Sequence, residues 1–156
     1  MKLLVWSQYF WPESFQINDV VAALAATGHE VTVLTGKPNY PSGEIVKGYR
    51  AAGVEEDVFS GADVKRVPLI PRGPGGGLRL ALNYLSFIAS GYFRAPAVLQ
   101  RRDFDAVFVF APSPLLQALP ALAFARRRKV PLALWVQDLW PEALAATGFV
   151  QNRVLL

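Results

Sequence analysis

Cysteine is absent, so neither a disulfide nor a thiolate metal site can form. Histidine occurs once, at His29, which rules out a multi-histidine metal site. No run of about 18 or more uninterrupted apolar residues exists, so a membrane-spanning helix is not expected. The apolar run Leu3 to Trp6 is far shorter than a signal-peptide core, and no small-residue cleavage site follows it. Internal repeats, low-complexity tracts and linkers are missing too. These absences point to a cytoplasmic, reducing compartment.

What is present suits a folded domain. The 156 residues are 53% hydrophobic and 18% charged, enough for a real core and too apolar for disorder. Net charge is +4, with basic clusters at Arg101-Arg102 and Arg126-Arg127-Arg128-Lys129. Ordinary surface charge explains this, and so does attraction to an acidic membrane surface or a phosphate-bearing ligand. Aromatic residues do not interleave with the basic ones, so nucleic acid is not an expected partner.

The pattern along the chain alternates strands and helices. Lys2 to Ser7 is a short apolar strand, and Pro12 ends the extended pattern after it. Ser14 is the expected cap of a helix whose Ile17, Val20, Val21, Leu24 and Ala25 recur at helical spacing. Gly28 should close that helix, and Val31 to Thr35 makes a second buried strand. Gly36 to Gly53 reads as a long loop. Asp63 to Leu69 reads as a third strand, followed by a flexible break at Pro71 to Gly77. Leu78 to Arg102 is helical, with Leu78, Leu82, Leu85, Ile88 and Ala89 on one face and interruptions expected at Gly91 and Pro96. Ala106 to Phe110 is a fourth strand, Leu115 to Arg128 a helix, Val130 to Val136 a fifth strand, and Glu142 to Thr147 a short helix.

Strands that are apolar on both faces and separated by helices predict an α/β fold: a doubly wound, Rossmann-like parallel sheet of order 3-2-1-4-5. In such a sheet ligands sit beyond the carboxyl ends of the strands, near the point where strand order reverses. The loops in question are Gln8 to Glu13, Ala111 to Pro114 and Gln137 to Glu142. The least ordinary residues of the chain are concentrated there.

Two familiar phosphate sites fail on their residues. A dinucleotide fingerprint needs G-x-G-x-x-G after the first strand, yet Ser7 to Glu13 holds no glycine. Gly73, Gly75, Gly76 and Gly77 follow a strand, but no G-K-[ST] ending completes a P-loop.

Trp11-Pro12-Glu13 recurs as Trp140-Pro141-Glu142, each copy just past a strand. Each is also what a helix start needs, with the glutamate in the first turn. Loop tryptophans beside polar residues commonly stack on sugar or base rings. Asp138, directly after Val136-Gln137, can take a proton from an attacking hydroxyl, hydrogen-bond sugar hydroxyls, or cap a helix. Pro38 to Gly43 is either a stiff turn or an acceptor-contacting wall built on Asn39, Tyr40 and Gly43. The helix carrying Tyr84, Phe87 and Tyr92 either packs on the core or offers a partly exposed surface to a membrane or a lipid-linked substrate. His29 sits at the opposite sheet edge and reads as structural.

Several of these stretches resemble a known family. Ser7 to Glu13, Gly28-His29-Glu30-Val31-Thr32-Val33-Leu34-Thr35-Gly36, Lys37 to Gly43, Asn83-Tyr84-Leu85-Ser86-Phe87 and Trp135 to Glu142 are similar to the N-terminal domain of bacterial family 4 glycosyltransferases with the two-domain GT-B architecture. The subgroup most alike is the WbuB-like fucosamine transferases of surface-polysaccharide synthesis. N-Y-P-S-G and Q-D-L-W-P-E carry more specificity than G-H-E-V-T-V-L-T, which many such transferases share.

The resemblance implies an acceptor-side domain of a retaining glycosyltransferase. Its donor would be a nucleotide-sugar, used as a substrate, with no metal or other cofactor. Its acceptor would be a saccharide, lipid-linked at the inner face of the cytoplasmic membrane, with peripheral membrane contact. A C-terminal donor-binding domain is the expected partner, residues 1–156 being read as a truncated N-terminal domain without it and as inactive alone. Asp138 matches a position where related enzymes place a polar or charged residue near the reacting sugar. The expected substrate-binding set is Gln8, Tyr9, Phe10, Trp11, Pro12, Glu13, Asn39, Tyr40, Gly43, Tyr84, Ser113, Gln137, Trp140 and Glu142. The residues alone also allow a stand-alone module that binds a nucleotide or small ligand without catalysis.

Overall fold

The computed structural model describes residues 1–112 and 114–137. In chain order the elements are β1 (Lys2–Trp6), α1 (Gln16–Ala26), β2 (Glu30–Thr35), β3 (Glu55–Phe59), β4 (Ala62–Arg66), α2 (Gly77–Phe93), α3 (Ala95–Val98), β5 (Ala106–Ala111), a 3-10 turn (Leu115–Gln117), α4 (Ala118–Arg128) and β6 (Leu132–Val136). The six strands form one sheet of order β3-β4-β2-β1-β5-β6, parallel except where β3 meets β4. The five expected strands therefore stand in the expected order, with one antiparallel strand added at an edge.

Side chains alternate strictly between the two faces. Leu4, Trp6, Leu34, Val107 and Val109 meet Phe87 of α2 and Phe124 of α4. Val5, Val31, Val33, Val64 and Phe110 meet Ile17 and Val21 of α1. Each fully buried side chain of this size contributes roughly 1.5–3 kcal/mol, which is what pins strand register. On the first face α2 approaches closely because Gly91 has no side chain. A Cβ there would lie 2.8 Å from Trp6 and 2.9 Å from Pro120.

Several local expectations need correction. Residues 55–59, to which the sequence pattern assigns no element, form a strand. Ser60 and Gly61, with φ of 49° and 85°, turn β3 back onto β4 in the geometry favoured by tight hairpins. Regular pairing of the third expected strand ends at Arg66, although the Val67 N–H still reaches the Thr35 carbonyl at 2.9 Å. Ser14 does not cap α1; Phe15 occupies that position, without a side-chain bond to the helix. Glu13 thus precedes the helix instead of sitting in its first turn.

The helix expected over 78–102 breaks at Arg94, and Pro96 opens the short α3, where its missing N–H is harmless. The face bearing Leu78, Leu82 and Leu85 is turned outward, and the sheet is met by Asn83, Phe87 and Gly91. Lys129, with φ 56°, closes α4, so β6 begins at Leu132. The expected helix over 142–147 lies outside the described residues.

Candidate functional site

The order reverses between β1 and β5, and the chain leaving β1 runs straight into the crevice there. Residues 7–10 are all buried. The Ser7 N–H donates to the Leu34 carbonyl at 3.1 Å, and the Gly36 N–H to the Gln8 carbonyl at 3.1 Å. This segment continues the strand pairing past the end of β1 and fixes where Gln8 and Tyr9 stand.

A chain of amide side chains runs from Gln8 across the sheet end. The Gln8 N–H donates to Gln117 Oε1 at 2.9 Å, and Gln8 Nε2 donates to Asn83 Oδ1 at 2.7 Å. Asn83 Nδ2 reaches Asn39 Oδ1 at 3.3 Å and the Ile70 carbonyl at 2.7 Å. Asn39 Oδ1 also accepts the Arg72 N–H at 3.1 Å. Five stretches of the chain, at Gln8, Asn39, Ile70 to Arg72, Asn83 and Gln117, are thereby tied together. Gln8 Oε1 and Gln117 Nε2 find no partner among the described residues, leaving one acceptor and one donor unspent at the sheet end.

Glu13 holds the outer end of this network. Its Oε1 accepts the N–H groups of Asn39 at 2.8 Å and Tyr40 at 2.7 Å, and its Oε2 accepts that of Phe10 at 3.2 Å. Burial pushes its pKa up, against the pull of those three donors and of the Arg66 charge. Its carboxylate is a bracket between two loops rather than a ligand contact. Asn18, in the first turn of α1, closes the same loop by accepting the Trp11 N–H at 2.9 Å and donating to the Glu13 carbonyl at 2.7 Å.

An aromatic group stands above the network. Tyr9 stacks on Phe15 at 5.1 Å, and Tyr40 meets Tyr9 at 5.9 Å and Phe15 at 5.4 Å. The Arg72 guanidinium lies over the Tyr40 ring at 5.1 Å. Burial, and then the Tyr84 hydroxyl beside it, push the Tyr9 pKa up, so its hydroxyl stays protonated. Tyr40 and Arg72 open onto a cavity of about 370 Å³, walled by Tyr40 to Gly43, Arg72 to Gly77 and Leu80. Gly43, with φ +82°, lets the two loops touch: its carbonyl accepts the Gly73 N–H at 2.8 Å, and a Cβ would fall 1.8 Å from the Gly73 oxygen.

The expected site residues divide by role. Gln8, Asn39 and Glu13 are buried and spent largely on holding loops, and Phe10 is core, edge-on to Phe59 at 5.1 Å. Trp11 and Tyr40 are exposed, at 38% and 41%, while Pro12 and Tyr84 are half-buried. The Trp11-Pro12 and Tyr40-Pro41 peptide bonds are both cis. Gln137 is exposed just past β6, its N–H donating to the Ala111 carbonyl at 3.1 Å, on the far side of the reversal point. Ser113, Asp138, Trp140 and Glu142 lie outside the described residues. His29 stands at the opposite edge, its Nδ1 3.4 Å from the terminal amine of Met1.

Sequence reasoning missed Arg72, Asn83 and Gln117. It also missed a buried charged group behind the loop after β2. There Lys37 pairs with Glu55, while Arg66 donates to the Trp11 carbonyl at 2.6 Å and lies 3.4 Å from Asp57. A polar residue inside an apolar helical stretch is the one signal that pointed to Asn83 and Gln117. Among the described residues, no three histidine, cysteine, aspartate or glutamate side chains gather to hold a metal ion.

Residues 14–155 match the family model of the glycosyl transferase 4-like domain. The chain belongs to this family. It is 33% identical over 158 aligned residues to the WcaI protein of Escherichia coli (strain K12), which carries the name of a colanic acid biosynthesis glycosyl transferase. That match covers 95% of this chain but 37% of WcaI, so the chain spans little more than a third of that relative's length. Two solved structures of the C-terminal domain of the PF1911 hydrogenase from Pyrococcus furiosus share the fold. One has a TM-score of 0.51 at 20% identity, covering 88% of this chain and 89% of that one. The other has 0.52 at 19%, covering 85% and 88%.

The glycosyl transferase 4-like domain thus gathers aromatic faces and one guanidinium around a single sheet end, above a buried amide network. Aromatic faces suit sugar rings, and a guanidinium suits a phosphate or carboxylate.

Proposed function

We propose that this chain is the acceptor-side half of a retaining glycosyltransferase that moves a sugar from a nucleotide-sugar donor onto a lipid-linked saccharide in surface-polysaccharide synthesis. The observation that carries the reading is the Tyr9–Tyr40–Arg72 group beside the unspent amides of Gln8 and Gln117, in a chain of this family. Tyr40 and Trp11 supply exposed rings for a sugar to stack on, and Arg72 supplies charge for a phosphate of the acceptor. The name of WcaI supports polysaccharide synthesis as the setting.

The work assigned to the domain is binding and alignment, which fixes the attacking hydroxyl before transfer. Donor binding falls to a second domain. Neither a metal nor another cofactor is assigned. Asp138, one residue beyond the end of the Gln137 segment, is assigned to the neighbourhood of the reacting sugar. The enzyme works at the inner face of the cytoplasmic membrane, where a lipid-linked acceptor resides; no helix of the described residues is long and apolar enough to cross that membrane.

The test is transfer by the full-length protein from nucleotide-sugar to acceptor. Asp138→Ala should lower kcat by about 100-fold or more with an unchanged melting temperature, the range expected when a positioned acid–base group is lost. Unchanged turnover removes Asp138 from the mechanism. Nucleotide binding without any transfer would favour the small-ligand module instead.

A further inference from the structure

The chain leaving β4 has no strand to rest on. Its last bond to the sheet runs from the Val67 N–H to the Thr35 carbonyl. Pro68 and Pro71 then remove two of the donors that a longer strand would need. Leu69 anchors the segment in the same core cluster as Phe87, but an apolar contact has no direction and does not orient the backbone around it.

Helix α2 supplies the missing partners. Asn83, Ser86 and Ser90 are spaced by three and then four positions, which puts them on one stripe of the helix. Ser86 Oγ accepts the Ile70 N–H at 2.9 Å, and its own proton goes to the Asn83 carbonyl at 2.8 Å. Asn83 Nδ2 donates to the Ile70 carbonyl at 2.7 Å, and the Ser90 hydroxyl donates to the Pro68 carbonyl. Both polar groups of the Ile70 backbone are thus held by α2, two residues before Arg72.

Arg72 is the residue that needs aiming. Its guanidinium forms no ion pair among the described residues and lies over the Tyr40 ring at 5.1 Å, in the wall of the cavity. The Arg72 N–H donates to Asn39 Oδ1 at 3.1 Å, the same oxygen that Asn83 Nδ2 reaches at 3.3 Å. Asn83 therefore acts on this segment twice, directly at Ile70 and through Asn39 at Arg72. Packing of α2 on the sheet falls to Phe87 and Gly91, whereas Ser86 and Ser90 are half-buried and spend their hydroxyls on the segment.

We infer that Asn83, Ser86 and Ser90 are positioning residues: a polar rack on α2 that fixes the backbone of residues 68–72 and so aims the Arg72 guanidinium at the cavity. The inference rests on the acceptor-binding role given to Arg72 under the proposed function and names what sets that side chain in place.

The experiment combines steady-state kinetics of the full-length protein with amide hydrogen exchange resolved at single residues. Ser86→Ala should raise the acceptor KM by about fivefold, the worth of one hydrogen bond, with kcat and the donor KM unchanged. Ser86→Thr keeps the hydroxyl at the edge of an open groove lined by Ala51 and Ala52, and should restore wild-type values. In an Arg72→Ala background, Ser86→Ala should add nothing to the acceptor KM. Exchange of both the Ile70 and the Arg72 amides should quicken by about fivefold or more in Ser86→Ala. A lowered melting temperature with wild-type acceptor KM and wild-type Arg72 exchange would overturn the inference, since Ser86 would then serve stability alone. So would a rise in KM that persists undiminished when Arg72 is already alanine. If Arg72→Ala itself leaves the acceptor KM unchanged, the proposed function fails instead; the exchange rate of the Arg72 amide in Ser86→Ala then decides the rack, faster exchange upholding it and unchanged exchange overturning it.

Discussion

Glu13 and Asn39 are 26 positions apart and are joined by a hydrogen bond of 2.8 Å, from the Asn39 N–H to a buried carboxylate oxygen. That bond, with its partners at Tyr40 and Phe10, makes the loops after β1 and β2 one unit. The aromatic and polar groups of the site rest on this bracket.

Replacing Glu13 by Gln should damage the bracket although the shape is kept. One carboxamide oxygen can still accept from Asn39 and Tyr40, but the NH₂ group then faces the Phe10 N–H, donor against donor. A buried donor left without an acceptor costs about 1–3 kcal/mol. Denaturant titration should show that loss, together with a raised acceptor KM.

The same carboxyl makes a prediction about pH. Its folded pKa is raised by burial above the ordinary 4.5, so the folded chain keeps a proton that the unfolded chain has released. The stability it contributes is complete below the unfolded value and is lost as pH rises through the folded one. Melting temperatures measured upward from pH 4.5 should therefore contain a falling component in the wild type that Glu13→Gln lacks.

Gly43→Ala should open the cavity wall. Alanine at φ +82° costs about 1–2 kcal/mol by itself, and its Cβ would collide with the Gly73 oxygen. The two loops must part, breaking the bond between the Gly73 N–H and the Gly43 carbonyl. A lowered denaturant midpoint and an acceptor KM raised several-fold are the expected readouts.

How much of this was legible in the sequence depends on the range of the interactions. The parallel strands were readable because apolar runs such as Leu3 to Trp6 and Val31 to Thr35 declare burial on both faces. β3 was not, because Glu55-Glu56-Asp57-Val58-Phe59 is an edge strand, half wet, and looks like loop. Which face of α2 meets the sheet was left open, because both its faces are apolar and only packing distinguishes them. The loop Gln8 to Glu13 stood out by composition, yet loops have no period, so nothing local separated the buried Gln8 and Glu13 from the exposed Trp11. Gln117 and Asn83 were missed because their partner Gln8 lies 109 and 75 positions away.

The central claim is that this domain binds the acceptor, and separate Michaelis constants for the two substrates test it most directly. In the full-length protein, Tyr40→Ala and Arg72→Ala should each raise the acceptor KM by about tenfold, the loss of one ring stack or one charge-assisted bond, and leave the donor KM unchanged. An unchanged acceptor KM, or a rise confined to the donor, would contradict the account.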